Sequence, residues 1–213
     1  YVDRRGTGCE KWDGQEKTFG EGGLLGLWVA DMDFKTAPCV RQALERLVDV
    51  GVFGYNFPPE GYYTAFADWQ WEHHGYAVDR KWLRFTPGVV TGLNLLVQTL
   101  TEVQDAVIIL SPVYYPFANA VRNNDRRLIE CPLVNDGGAY SVDFARFERD
   151  IAENDVRAFI LCSPHNPVGR VWTGEELRRM LDICRKHDVK VIADEIHNDF
   201  VFAPHTHHCA ATV

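Results

Sequence analysis

The segment VKVIADEIHNDF, residues 189–200, carries two adjacent carboxylates, Asp194 and Glu195, with His197 close behind. KVIA reads as a strand, so Asp194 falls at its carboxyl end, where the ligands of parallel sheets bind. An isolated aspartate there would cap a helix or sit in an exposed turn. Three other strand ends carry equally unusual residues. In LRFTPGVV a strand meets a helix through Thr86, Pro87 and Gly88. The free backbone N–H groups of Val89 and Val90, with the positive helix end behind them, can then cradle an anion such as phosphate. ILSPVYYPF presents Tyr114 and Tyr115, either of which can lie flat against a planar ring or simply pack. ILCSPHNPVGR holds Asn166 between two prolines, a rigid turn that fixes an amide at the sheet edge. Anion binding and recognition of a planar ring are the chemistries these types allow.

The elements that must position these residues alternate. LRFT, AVIIL, RLIEC, RAFILC and KVIA are short β-rich runs, separated mostly by helical stretches. GVVTGLNLLVQTL places Val89, Leu93, Leu96, Val97 and Leu100 at helical spacing. TGEELRRMLDICRKHDV opens with a capping box, Thr173 to Glu176, and turns Leu177, Met180, Leu181 and Cys184 inward. Upstream, Thr36 is the expected N-cap of a helix with Pro38 in its first turn and Val40, Leu44, Leu47 and Val48 on one face. A second helix carries Tyr62, Phe66 and Trp69 on one stripe and stops at Gly75. Apolar runs of this kind predict an α/β fold, a mostly parallel sheet covered by helices on both faces.

The 213 residues can bury a substantial core, and 46% hydrophobic with 24% charged residues is ordinary globular composition. A net charge of −8 argues against nucleic acid or an anionic membrane surface as partner. No apolar run approaches the roughly 20 residues of a membrane span, and the N-terminus has no secretory layout, so a cytoplasmic location is expected. The six cysteines are scattered without a CxxC pair, which points to free thiols and away from a zinc ribbon.

SPHNPVGR followed by ADEIH, with TPGVVTGL and SPVYYPF before them in order, resembles the signatures of the aspartate-aminotransferase fold, the type I pyridoxal-phosphate enzymes of aminotransferase class I/II. LWVADMDF and the histidine of DEIH are similar to the subgroup of cystathionine and cysteine-S-conjugate β-lyases. The resemblance covers nearly the whole chain. It implies a three-layer α/β/α large domain over 51–213, truncated at the C-terminus, with residues 1–50 contributing to a small domain.

It also implies pyridoxal 5′-phosphate as cofactor and a role for each matched residue. Asp194 would pair with the pyridine nitrogen and keep it protonated, which accounts for charge at the end of a buried strand. Asn166 would donate to the ring's phenolate oxygen, and His197, where the wider family often has tyrosine, would bond that oxygen or Asp194. Tyr114 would stack on the ring, and the amides of Val89 and Val90 would hold the phosphate. Tyr55, in FGYNFPPEG, resembles the tyrosine that reaches the neighbouring subunit's phosphate in a homodimer with shared sites. Ala30 would line the substrate carboxylate pocket through its backbone, whereas Asp31 and Asp33 read as capping or structural groups.

The family attaches its cofactor to a Schiff-base lysine beyond the aspartate strand, and no lysine follows Lys190. The substrate-carboxylate arginine is expected still further along, so the chain reads as a fragment with most of the cradle and without its anchor. HTHHC (His205, His207, His208, Cys209) matches no zinc template and is expected in a solvated loop; His73 and His74 are expected at the surface, and no metal site is expected. GTG and GEGG follow no strand and give no dinucleotide fingerprint. The resemblance points to α,β-elimination of cystathionine or a cysteine S-conjugate, a small amino acid, to pyruvate, ammonia and a thiol. An aminotransferase of the same fold and a non-catalytic cofactor-binding regulatory module stand as alternatives.

Overall fold

The computed structural model describes residues 1–213, which divide into two compact units, Tyr1–Phe57 and Pro58–Val213. The first contains helices α1 (Glu10–Asp13), α2 (Gln15–Phe19) and α3 (Pro38–Val50). Its polar centre is built on Asp33, which accepts from Lys11 Nζ and from Trp12 Nε1, each at 2.9 Å. Asp31 pairs with Arg4. Both carboxylates are thus committed to fastening residues 4–12 against residues 31–33.

Helix α3 forms as its sequence predicts, but its N-cap is Ala37 and not Thr36, with Pro38 at the first helical position. Proline's fixed φ and missing donor suit that position. The apolar face of the helix is not covered: Val40, Leu44, Leu47 and Val48 are all exposed. Apolar periodicity identifies a helix face, but says nothing of which surface covers it.

The second unit begins with α4 (Glu60–His74), stopped by Gly75 in the left-handed conformation at φ 62°, as expected. After α5 (Val89–Leu100) the chain alternates: β1 (Ala106–Ser111), α6 (Pro116–Arg122), β2 (Arg127–Pro132), a hairpin of β3 (Val134–Asp136) and β4 (Ala139–Ser141), α7 (Phe144–Asn154), β5 (Val156–Cys162), α8 (Gly174–Lys186) and β6 (Lys190–Asp194). The four long strands pair in the order β2-β1-β5-β6, all parallel. The small antiparallel hairpin was not signalled by alternation. Its turn is made by Gly137 and Gly138, both at positive φ, with Asn135 Oδ1 accepting the Gly138 amide at 2.8 Å.

Successive residues of β1 face opposite ways, as the strand period requires. Ile108 and Leu110 enter a core with Phe147, Phe159, Trp172 and Met180, under α7 and α8. Val107 and Ile109 enter the other core with Val97 and Phe117, under α5 and α6. Two cores on two faces make the unit a three-layer α/β/α sandwich. Helix α8 carries the predicted capping box, Thr173 and Glu176 each accepting the other's backbone N–H. Leu181 and, in α5, Leu96 and Leu100 are less buried than their spacing predicted.

LRFT forms no strand: residues 83–86 carry no regular secondary structure, and Phe85 is 74% exposed. Propensity favours β there, but the segment has no hydrogen-bonded neighbour, and an unpaired strand gains nothing from its backbone groups.

Candidate functional site

All the candidate residues of the second unit lie at carboxyl ends of strands or at the start of α5. Asp194 ends β6, opposite Cys162 at the end of β5, and its carbonyl accepts the Ser163 amide at 3.0 Å. Its side chain turns back locally, with Oδ1 accepting the Ile196 amide at 3.2 Å. Burial pushes the Asp194 carboxyl above the usual range and Glu195 adds to this, while the Ile196 bond and His197 act the other way.

Gly88 precedes α5 at φ 91°, a conformation that lets the chain turn sharply into the helix. The first-turn amides, including Val89 and Val90, have no acceptor within the helix, and both residues are partly exposed. Gly92 sits one turn on, where an added Cβ would meet Thr86 Oγ1 at 3.0 Å, so TPGVVTG packs closely on itself.

Val89 and Asp194 line one hollow of about 720 Å³, walled by Tyr62, Phe66 and Trp69 of α4. The aromatic stripe of α4 therefore faces this cavity, not a core. Asn166 and His197 line a second hollow of about 330 Å³ with Phe200. Tyr114 and Val90 line neither. Tyr114 is nevertheless tied to Asn166, because its amide donates to the Asn166 carbonyl at 3.0 Å. No hydrogen bond joins His197 to Asp194; its influence there is that of a nearby charge. Tyr55 and Ala30 belong to the first unit and are exposed.

A further polar cluster adjoins the large hollow, and the sequence reading missed it. Asp199 accepts from Trp69 Nε1 at 3.0 Å and bonds His74 Nε2 at 2.8 Å. The His74 ring stands edge-on to His207, 5.5 Å between centroids, and His207 Nε2 lies 3.6 Å from Glu195 Oε2. The expectation of surface positions is therefore corrected for His74, His207 and Cys209, and holds for His73, His205 and His208, which are exposed. The side chain of His74 is 6% exposed and that of His207 2%, and Cys209 is also buried. These histidines bury because they reach carboxylates distant in sequence, which no local pattern encodes. The acidic run DEIHND was the one available signal. No group of side chains there or elsewhere is arranged to hold a metal ion.

A parallel sheet between two helical layers, with a helix N-terminus and a half-buried carboxylate converging on one hollow at the strand ends, defines an α/β protein of the ligand-binding type. Residues 23–212 match the aminotransferase class I and II family, and the chain belongs to it. It is 40% identical over 205 residues to cystathionine beta-lyase PatB of Bacillus subtilis (strain 168), covering 96% of this chain and 53% of that relative. Among solved structures it superposes on cystalysin from Treponema denticola, which contains a pyridoxal 5′-phosphate cofactor, with TM-score 0.91 and 37% identity over 98% of this chain and 54% of that one. The PLP-bound C-S lyase from Staphylococcus hominis gives TM-score 0.91 and 34% identity over 99% and 54%. The chain spans about half the length of the relatives it matches.

Proposed function

We propose that this chain supplies most of the cofactor cradle of a pyridoxal-phosphate-dependent carbon–sulfur β-lyase acting on cystathionine or a cysteine S-conjugate. The observation that carries the reading is the shared hollow of Val89 and Asp194. An anion-seeking helix start and a half-buried carboxylate whose pKa burial raises line one cavity, of a size suited to a small cofactor. Those two features fit a phosphate at one end of a ligand and a protonated ring nitrogen at the other. The names of the relatives at 34–40% identity support the lyase class.

In this reading the amides of Val89 and Val90 hold the phosphate and Asp194 holds a proton on the ring nitrogen. Asn166 donates to the phenolate oxygen, His197 orients that edge, and Tyr114 covers a ring face. When bound, pyridoxal 5′-phosphate supplies the electron sink that lets the substrate lose its α-proton and then its β-thiolate. Pyruvate, ammonia and the thiol follow after hydrolysis. Ala30 lines the substrate carboxylate pocket, and Tyr55, fully exposed in this chain, reaches the phosphate of a partner subunit in a homodimer. A cytoplasmic location accords with the absence of any helix long and apolar enough to cross a membrane. The test is pyruvate release from cystathionine by the full-length protein. Amino-group transfer to a keto acid without pyruvate release would favour the aminotransferase reading, and neither reaction would favour a regulatory module.

A further inference from the structure

His165 stands beside Asn166 and is 1% exposed. Its Nε2 lies 3.0 Å from the carbonyl oxygen of Pro112. A carbonyl can only accept, so Nε2 carries the proton. Nδ1 is buried with no partner, so it is the bare nitrogen of a neutral ring. Burial also pushes the imidazole pKa down, outweighing the backbone carbonyls of Pro112, Cys162 and Leu110, which favours the same neutral state. The ring is held edge-on by Trp172, 5.4 Å between centroids at 79°, and Trp172 is itself fixed by donating Nε1–H to the Cys162 carbonyl at 2.9 Å.

Pro112 opens the turn after β1 that presents Tyr114, and His165 opens the turn after β5 that presents Asn166. Two bonds of opposite direction join these turns: His165 Nε2–H to Pro112, and the Tyr114 amide to the Asn166 carbonyl at 3.0 Å. We infer that His165 is a positioning residue whose buried imidazole sets the Tyr114 turn against the Asn166 turn, and so fixes the spacing between a ring-stacking side chain and a ring-oxygen donor. This rests on the proposed roles of Tyr114 and Asn166. The backbone at His165 is held separately, its amide donating to the Arg170 carbonyl and its carbonyl accepting from Gly169, each at 2.8 Å. A change of side chain at 165 therefore tests the ring and not the turn that carries it.

The experiment uses the 213-residue chain with His165→Leu, which fills space without a donor, and His165→Gln, which restores one. Hydrogen exchange at the Tyr114 amide reads the junction with no cofactor present. Fluorescence titration with pyridoxamine 5′-phosphate, which has no aldehyde and needs no lysine, reads the cradle. His165→Leu is expected to speed Tyr114 exchange and weaken binding, each roughly two- to tenfold, the range of one net hydrogen bond. His165→Gln recovers both, and exchange in the β1 core stays unchanged. Unaltered Tyr114 exchange or unaltered binding in His165→Leu overturns the inference. Accelerated exchange in a chain that never binds the probe overturns the cofactor roles of Tyr114 and Asn166 and leaves the junction standing. Should His165→Leu not fold, isotope-labelled imidazole nitrogens in the unmodified chain decide: a protonated Nε2 with bare Nδ1 supports the junction, and the reverse tautomer or a charged ring at neutral pH removes it.

Discussion

Glu195 Oε2 and His207 Nε2 stand 3.6 Å apart, and the other oxygen of Glu195 accepts the Ala210 amide at 2.7 Å. Burial pulls the Glu195 carboxyl up, but His207, the Ala210 amide and Cys209 together outweigh it and hold its pKa below the ordinary 4.5. One carboxylate therefore fastens residues 207–210 to the end of β6, next to the group proposed to meet the cofactor.

A depressed carboxyl contributes stability that is present above its unfolded pKa and lost as pH falls through its folded one. Glu195→Gln is expected to lower stability at neutral pH by about 1–3 kcal/mol, the cost of leaving buried partners unpaired. It should also flatten the loss of stability below the ordinary value of 4.5. Urea unfolding at neutral and acid pH checks both, and parallel curves for the two proteins would refute the linkage.

Asp194 behaves in the opposite sense. Burial raises its folded pKa above the ordinary 3.8, so its contribution is fullest below that value and falls away as pH rises through the folded pKa. Asp194→Asn should therefore raise the melting temperature of the ligand-free chain at neutral pH. The same change should weaken pyridoxamine 5′-phosphate binding by about ten- to a hundredfold, the value of a hydrogen bond to a charged group. Binding that survives intact would remove Asp194 as the ring-nitrogen partner.

Treatment of this chain with pyridoxal 5′-phosphate and then borohydride should give no single stoichiometric adduct by mass spectrometry. Lys186 pairs with Glu148 at 2.6 Å and Lys190 with Asp188 at 2.9 Å, and neither lines the hollow that holds Val89 and Asp194. One dominant modified lysine would contradict the separation of cradle and anchor.

Tyr55 is fully exposed, so Tyr55→Phe should leave the stability of this chain within about 0.5 kcal/mol. In the full-length protein the same change should weaken cofactor binding by about 0.5–3 kcal/mol if the hydroxyl meets a phosphate. Mixed dimers test the shared site. A subunit with Tyr55→Phe, paired with one lacking the attachment lysine, should bind as unmodified protein does in its one complete site. Retention of the weakened binding there would refute the cross-subunit contact.

Much of the second unit was legible in the residues alone. β1, β2, β5 and β6, the stop at Gly75 and the Thr173–Glu176 cap were all read correctly, because each depends on side-chain period or on groups within one turn. The strand ends bearing Asp194, Asn166 and Tyr114 were legible for the same reason. Pairing was not: residues 83–86 have strand composition but no neighbour to bond, and the face of α3 is apolar but uncovered. Only the tertiary structure grouped Val89 with Asp194 and Asn166 with His197 in separate hollows, turned Trp69 and Phe66 toward the first, and buried His74 and His207 beside Asp199 and Glu195. Chain-local chemistry determines which elements form and what their ends carry. Which ends meet depends on the register of strands and the packing of helices far apart in sequence, and there burial raises the pKa of the Asp194 carboxyl while His207 and the Ala210 amide bring that of Glu195 down.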